Sequence, residues 1–289
     1  MKSLSLSSVL ALMKYKVSMA VTFTAITGYI VYMGRLDLRL IFLGLGVFVL
    51  SGGSSALNEF QESKYDAVME RTRYRPIPLG TISPRQALLI SILAIIAGLF
   101  SLYLSFGVIP VLLGVFNIVW YNLIYTNLKR ITPFAVVPGS LVGAVPVLIG
   151  WTAAGGYLFE PVIVFIAFFL FIWQIPHFWL LMLKYGNEYR AAGFPTIDQA
   201  INPANLKRII FVWIVATSFS SMLIPLFFVK VSLIFFILIF VLSILFVGVF
   251  TKLSFGKVAE VNLTKSFVSI NVYMVVVMLL LIAYHIVVS

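Results

Sequence analysis

Cysteine is absent from the 289-residue sequence, which excludes disulfides, thiolate metal sites and cysteine nucleophiles. Histidine occurs only twice, at His177 and His285, so a multi-histidine metal centre is also excluded. Charged residues make up only 10% of the chain, whereas hydrophobic residues make up 62%. Soluble domains typically contain about 25% charged and about 45–50% apolar residues. The composition rules out a water-soluble globule, and it rules out a disordered chain, which needs low hydrophobicity and high charge.

Acidic residues are scarcer than basic ones. Nine Asp and Glu stand against 20 Lys and Arg, and the formal net charge is +11. In a soluble protein such a balance can indicate nucleic acid binding. In a chain this apolar it favours basic residues that orient a membrane protein and bind an anionic ligand, with no nucleic acid partner.

Long apolar runs dominate the sequence. A transmembrane helix needs about 20 mostly apolar residues. Nine windows qualify, at residues 17–34, 40–60, 86–106, 109–127, 134–154, 160–183, 208–228, 231–251 and 266–288. These windows predict an all-α, polytopic membrane protein, with residues 1–289 forming a single domain. The polar first sixteen residues lead straight into the first window, so we expect no removable signal peptide and no transit peptide.

The basic residues are divided unequally between the two sides of these windows. Seventeen of the 20 fall in the N-terminal segment and four loops on one side, and Arg35, Arg39 and Lys230 fall on the other. Basic loops favour the cytoplasmic side. We therefore expect a multi-pass protein of the cytoplasmic (inner) membrane, with its N-terminus in the cytoplasm and its C-terminus outside.

The first candidate site lies at the end of the second window. Asn58, Glu62 and Asp66 are spaced by four, which places them on one stripe of a helix. Amide and carboxylate oxygens suit Mg²⁺, which binds through one or two carboxylates and substrate phosphates. Arginines, whose forks match phosphate oxygens, follow at Arg71, Arg73 and Arg75. The pattern indicates a metal–diphosphate site; the alternative is helix-end solubility with positive-inside anchoring.

A second candidate pair is Tyr125 and Lys129, again spaced by four. A phenol and an ammonium on one helical face can hold a phosphate. The alternative is an interfacial tyrosine beside a lysine that sets topology.

A third candidate set is His177, Lys184 and Glu188, whose steps of seven and four keep them on one helical face if the helix continues. Polar groups inside a span are expensive and are candidates for function. We expect His177 to lie near a substrate-binding cavity and to contact a substrate there. The alternative for this residue is an interhelical hydrogen bond, and His285 is interpreted as structural.

A glycine-rich segment covers residues 138–156. Gly139, Gly143, Ala144 and Gly150 allow close helix packing. A role in lining a substrate cavity is the equally weighted alternative.

Taken in order, these motifs resemble those of the UbiA-type intramembrane prenyltransferases, over about residue 14 to the end. The matching segments are N-x-x-x-E-x-x-x-D at 58–66, MERTRYRP at 69–76, YTNLKR at 125–130, VGAVPVLIGWTAAGG at 142–156, WQIPHF at 173–178 and EYRAAGFP at 188–195. Within that family the chain is most similar to the branch that farnesylates heme. The sequence departs from the family near its start, where Met13-Lys14-Tyr15-Lys16-Val17 replaces T-K-P-R-I, and at Glu188, where aspartate is usual.

The resemblance implies nine helices around a central cavity open sideways to lipid. It implies transfer of a farnesyl group from farnesyl diphosphate to a vinyl group of heme B, with addition of a hydroxyl. It also implies Mg²⁺ as cofactor, membrane lipid as surroundings, and partners in heme A synthesis or oxidase assembly. The residues that it assigns to the Mg²⁺–diphosphate motif are Asn58, Glu62 and Asp66; to diphosphate contacts, Arg71, Arg75, Tyr125, Lys129 and Arg130; and to the second acidic motif, Glu188.

Other functions are compatible with many spans and a polar cluster. A prenyltransferase for an aromatic quinone precursor would carry the same diphosphate site. A secondary transporter would bind without turnover. A non-catalytic assembly factor would show neither metal dependence nor product.

Overall fold

The structure, a computed structural model, describes residues 5–228, 232–255 and 262–288. Its helices are α1 (Leu6–Leu12), α2 (Tyr15–Met33), α3 (Arg39–Asp66), α4 (Pro84–Phe106), α5 (Val108–Leu128), α6 (Pro133–Ala153), α7 (Pro161–Ala191), α8 (Ile197–Ala200), α9 (Pro203–Leu223), α10 (Leu233–Phe255) and α11 (Leu263–Val288). Three basic residues that contribute to the predicted orientation, Lys2, Lys230 and Lys257, lie outside the described residues.

Nine helices in the described ranges, α2 to α7 and α9 to α11, are long and apolar enough to cross a membrane. This confirms the all-α class and the nine predicted spans. Two helices run well past their apolar windows: α3 continues to Asp66 and α7 to Ala191. Hydropathy missed these turns because charged residues end an apolar window. Both extensions lie at the end of the bundle that carries most lysines and arginines, called the basic end below.

Local signals begin and end the helices around the first long loop. Ser83 and Gln86 form a capping box, and Pro84 occupies the first turn, so α4 begins there. Gly107, with φ of +83°, ends α4, and α5 begins at the next residue. This conformation favours glycine, which lacks a Cβ. The tight connection makes α4 and α5 antiparallel neighbours.

Close helix packing places the walls of the central cavity. Gly28 of α2 lies against the carbonyl oxygen of Val147, and Gly150 of α6 lies against that of Ala25. An added Cβ would overlap the facing backbone at either position, so α2 and α6 cross almost in backbone contact. The predicted packing role is therefore confirmed for Gly150. The largest apolar core joins α6, α7 and α9 to α11, and a second one joins α2, α3, α4 and α6.

Candidate active site

A cavity of about 290 Å³ opens between α2, α3, α5, α6 and α7 at the basic end. Its deeper wall is mainly apolar and includes Val47, Leu50, Pro146 and Ile149. Charged and polar side chains gather toward the basic end: Lys14, Asn58, Glu62, Asp66, Arg71, Arg75 and Lys129. The cavity therefore joins a polar site to an apolar interior.

The stripe on α3 lines this cavity as its spacing predicts. Asn58, Glu62 and Asp66 are buried, with 2%, 5% and 1% of their surfaces exposed. A hydrogen bond from Asn58 Nδ2 to Thr126 Oγ1, at 3.1 Å, fixes α3 beside α5. The three side chains are thus held in place before any ligand binds.

Each member of the stripe is paired with a cation from a different part of the chain. Lys14 Nζ donates to Asn58 Oδ1 at 2.7 Å. Lys129 Nζ lies 2.6 Å from a carboxylate oxygen of Glu62. Arg75 Nη1 lies 2.6 Å from Asp66 Oδ2. Three cations face two carboxylates, so the site carries an excess of positive charge that suits an anion with several charges.

Electrostatics at the cavity mouth follow from this crowding. Burial, together with the neighbouring charge of Arg75, lowers the pKa of Lys14 to about 7. Burial acts against the charge of Arg75 too, but the Asp66 carboxylate raises the pKa of the guanidinium above its ordinary value. Lys14 adopts a left-handed backbone conformation, with φ of 47° and ψ of 52°. Among the described non-glycine residues it alone has positive φ, a form of strain that clusters at functional sites.

A ladder of four side chains runs along α5 from the interior to the mouth. Asn117, Tyr121, Tyr125 and Lys129 all line the cavity. On an α-helix, side chains four residues apart are rotated about 40° from one another around the helix axis. Residues 119–125 form a π-helix, whose wider i→i+5 turn rotates less per residue and offsets this rotation. The rings of Tyr121 and Tyr125 stack with centroids 6.0 Å apart. From the interior to the mouth of the cavity, the helix therefore presents an amide, two aromatic rings and a cation.

The sequence profile of the UbiA prenyltransferase family matches residues 20–271, most of the chain. The chain belongs to the UbiA prenyltransferase family. A Geobacter sulfurreducens protein named protoheme IX farnesyltransferase is 40% identical over 182 residues, which cover 63% of this chain and 67% of that protein. One of the same name from Oleidesulfovibrio alaskensis is 30% identical over 280 residues, 96% of each chain.

The fold of this UbiA prenyltransferase also matches solved structures. A UbiA homologue from Archaeoglobus fulgidus bound to GPP and Mg²⁺ superposes with a TM-score of 0.67 at 14% identity, over 96% of this chain and 99% of that one. Both the fold class and the family that the motifs indicate are therefore confirmed. Nine apolar helices in the described ranges, together with the family, make the protein a multi-pass membrane protein.

In this UbiA prenyltransferase, His177 does not line the cavity, contrary to the prediction. It packs between the rings of Trp173 and Phe267, with centroids 4.8 Å from each, and a hydrogen bond joins it to Asn271 of α11. The physical reason is helical phase. Gln174, Phe178 and Leu181 face the cavity, and His177 is rotated about 60° from Gln174 on the helix. The alternative interpretation of His177, an interhelical hydrogen bond, agrees with these surroundings.

Three other predicted residues also lie off the cavity wall. Glu188 Oε2 accepts from the backbone N–H of Arg71 at 2.9 Å, so it holds the loop after α3. Lys184 Nζ lies 5.1 Å from the centre of the Tyr185 ring. Arg130 Nη2 donates to the carbonyl oxygen of Gln61 at 3.0 Å. The predicted single face is interrupted at Tyr185, whose φ of −118° and ψ of 16° are not helical.

Several cavity residues escaped sequence reasoning. The sequence predicts only a role in membrane orientation for Lys14. In the structure this lysine lies at the cavity and bonds to Asn58, so it belongs to the site. Asn117 and Tyr121 continue the four-residue spacing of Tyr125 and Lys129, a signal that could have found them. Gly139 and Gly143 do line the cavity, against the side chains of Tyr125 and Gln174, so the glycine-rich segment serves both of its proposed roles.

The donor set fits a hard divalent cation that binds together with a phosphate. Within residues 5–228, 232–255 and 262–288, no group of three or more His, Cys, Asp or Glu could hold a metal ion. The stripe nevertheless offers two carboxylates and an amide. Mg²⁺ typically binds proteins through one or two carboxylates when substrate phosphates supply further oxygen ligands. Asp66 Oδ1 is buried and has no hydrogen-bond partner among the described residues. This oxygen is suited to a metal or to a water bound to one.

Proposed function

We propose that the protein is a protoheme IX farnesyltransferase, which transfers a farnesyl group from farnesyl diphosphate to a vinyl group of heme B and gives heme O. The observation that carries this proposal is the site at the cavity mouth. Three oxygen-bearing side chains of α3 lie there, each paired with a cation from a separate element, above an apolar interior. The names of the relatives from Geobacter sulfurreducens and Oleidesulfovibrio alaskensis support the acceptor.

Glu62 and Asp66, assisted by Asn58, would hold Mg²⁺. When bound, the ion neutralises charge on the diphosphate leaving group. The Archaeoglobus fulgidus homologue, bound to GPP and Mg²⁺, supports this cofactor. Asp66 Oδ1 would be open to the ion while Oδ2 stays paired with Arg75. Arg75 and Lys129 lie beside these carboxylates, where they would also reach the diphosphate oxygens.

The cations at the mouth would stabilise the negative charge of the leaving diphosphate. A diphosphate leaves readily only when its developing charge is stabilised by groups that are already in place. Lys14, Arg75 and Lys129 come from three elements and converge on one mouth, so they can surround the leaving group. Arg71, with its backbone fixed by Glu188, adds a fourth cation to the same lining.

The cavity below the cations protects the reactive carbon. Loss of diphosphate leaves an allylic cation, which water would destroy. The stacked rings of Tyr121 and Tyr125 lie next below Lys129 on the α5 ladder, where their faces can stabilise a cation. Apolar side chains line the deeper wall, which suits both a farnesyl tail and a heme. The vinyl group then attacks the allylic carbon.

The reaction can be tested with membranes that contain the protein, heme B, farnesyl diphosphate and Mg²⁺, followed by mass spectrometry of the extracted hemes. We expect heme O, and none when a chelator removes Mg²⁺. A second set with an aromatic quinone precursor in place of heme B tests the rival acceptor. Prenylation of that compound with untouched heme would overturn the heme assignment. Binding without any product would instead favour a transporter or an assembly factor.

We also propose that the site faces the cytoplasm, with the N-terminus inside and the C-terminus outside a cytoplasmic membrane. The 17-to-3 division of basic residues supports this orientation. Since the chain lacks cysteine, Leu79→Cys introduces a single thiol at a position that is 52% exposed. Its neighbour Gly80 is unsuitable because its φ of +68° favours glycine. A membrane-impermeant thiol reagent should label the variant only after cells are opened; labelling in intact cells would reverse the topology.

A further inference from the structure

Two amide oxygens in the cavity lack hydrogen-bond partners. Asn117 Oδ1 on α5 and Gln174 Oε1 on α7 are both buried and accept no hydrogen bond within the described part of the chain. Both side chains line the cavity. A buried acceptor without a partner costs free energy, so it indicates a ligand or water that supplies a donor. The diphosphate cannot be that ligand, because it is itself an acceptor.

Each amide lies one helical turn deeper than the aromatic ring that follows it on its own helix. Asn117 is four residues before Tyr121 on α5, and Gln174 is four residues before Phe178 on α7. Phe178 packs on Tyr125 with ring centroids 6.0 Å apart. Both helices run toward the basic end, so each amide lies about 6 Å further from the mouth than its ring, at 1.5 Å per residue. Since Phe178 lies level with Tyr125, Gln174 lies about level with Tyr121, and Asn117 lies about one turn deeper; both amides are further from the mouth than the Tyr125 ring.

The lack of a side chain at Gly143 makes room for the Gln174 carboxamide in the cavity wall. This carboxamide packs directly against Gly143, where a Cβ would overlap the Oε1 atom. Pro146, Ile118 and Phe178 supply apolar surface to the same cavity. A water molecule is small, donates two hydrogen bonds, and is held in protein interiors by polar groups of this kind.

We propose that Asn117 and Gln174 hold the water whose oxygen becomes the hydroxyl of heme O. The inference rests on the function proposed above, because that reaction consumes one water in a cavity that otherwise excludes it. A water that donates to amide oxygens keeps its lone pairs free to attack a cation. A neutral amide suits this task better than a carboxylate, which would itself trap the cation.

The step balances without a redox partner. The C1–O bond of farnesyl diphosphate breaks, and diphosphate leaves with the electron pair. The terminal vinyl carbon uses its π electrons to bond to C1, which leaves a cation on the carbon attached to the porphyrin. The held water donates an oxygen lone pair to that carbon and loses one proton, which ends on the released diphosphate. Without the water, the cation loses a proton instead and gives a farnesylated heme lighter by one water.

The test compares Gln174→Leu and Asn117→Leu with the wild type, using purified protein in lipid vesicles with heme B, farnesyl diphosphate and Mg²⁺ in oxygen-18 water. Mass spectrometry measures the ratio of labelled heme O to the dehydrated product. We expect this ratio to fall about fivefold to tenfold in either variant, as loss of one hydrogen bond to the water predicts. His177→Leu is the matched control, since it removes a buried polar group of the same helix that does not line the cavity; its ratio should not change.

The outcomes separate the two proposals. Wild-type protein that farnesylates no heme overturns the proposed function. Heme O from the wild type with an unchanged ratio in both variants overturns only the water site. Folded variants that lose farnesyl transfer altogether also overturn it, because the amides would then act at an earlier step. If one variant fails to fold, the other decides.

Discussion

Replacing Asp66 with asparagine probes the centre of the proposed site. The carboxylate is 1% exposed, with Oδ2 held 2.6 Å from Arg75 and Oδ1 buried without a partner in the described part of the chain. Asparagine preserves the shape and can still accept from Arg75 through its single oxygen. Its NH₂ group then replaces the oxygen that is free for a metal, and one of the two negative charges of the stripe is lost.

The size of the effect follows from these contacts. Removing one preorganised electrostatic group from an active site costs about 2.7–4 kcal/mol, or about 10²–10³ in rate. We therefore expect Asp66→Asn to lower kcat/KM about 100-fold to 1,000-fold and to raise the Mg²⁺ concentration at half-maximal rate. The assay is heme O formation across a Mg²⁺ titration, with initial rates measured at farnesyl diphosphate concentrations from well below KM to saturation.

Asp198→Asn provides a matched control. Asp198 is also paired with an arginine, Arg190, at 3.2 Å, but its side chain is 25% exposed and does not line the cavity. It should retain activity within about twofold, as expected for an exposed ion pair of little energetic weight. Thermal unfolding of both variants checks that they fold. Wild-type turnover by a folded Asp66→Asn protein at limiting Mg²⁺ would refute the assignment.

Three further substitutions test other parts of the arrangement. Lys129→Met should raise the KM for farnesyl diphosphate about 10-fold or more, since a charge-assisted contact is lost; an unchanged KM would remove Lys129 from the site. Glu188→Gln should lower kcat/KM about threefold to tenfold, because it weakens the charge-assisted hydrogen bond that holds the backbone of Arg71. The midpoint of the Mg²⁺ titration should not change; a shifted midpoint would make Glu188 a metal ligand instead. Gly150→Ala should destabilise the protein by about 1–3 kcal/mol, as overpacking does, because its Cβ would meet the Ala25 carbonyl; equal thermal stability would contradict the close crossing of α2 and α6.

Much of the fold follows from composition and periodicity. The nine apolar windows predict nine helices because a bilayer requires every backbone hydrogen bond to be made within the segment. Spacing along one helix could also be interpreted without tertiary information. Asn58, Glu62 and Asp66 share a face of α3 since positions four apart always do so on an α-helix, and they line the cavity as expected.

The register between helices could not be predicted in the same way. On α7, a rotation of about 60° decides that Gln174 faces the cavity while His177 packs against α11. An apolar span has few polar residues to reveal which face is buried, so helix packing alone settles the phase. A single non-helical residue, Tyr185, likewise redirects the residues that follow it, including Glu188.

The pairing of the charged groups was also decided by tertiary structure. By itself the sequence determined an all-helical membrane protein, an α3 stripe of metal-binding type, and an excess of basic residues near it. It could not show that Lys14, Arg75 and Lys129 each meet a different member of that stripe. These residues are separated by up to 115 positions (Lys14 to Lys129) along the chain. Only the packing of α2, α3 and α5 brings them together, because contacts between distant segments depend on the fold as a whole and not on local spacing.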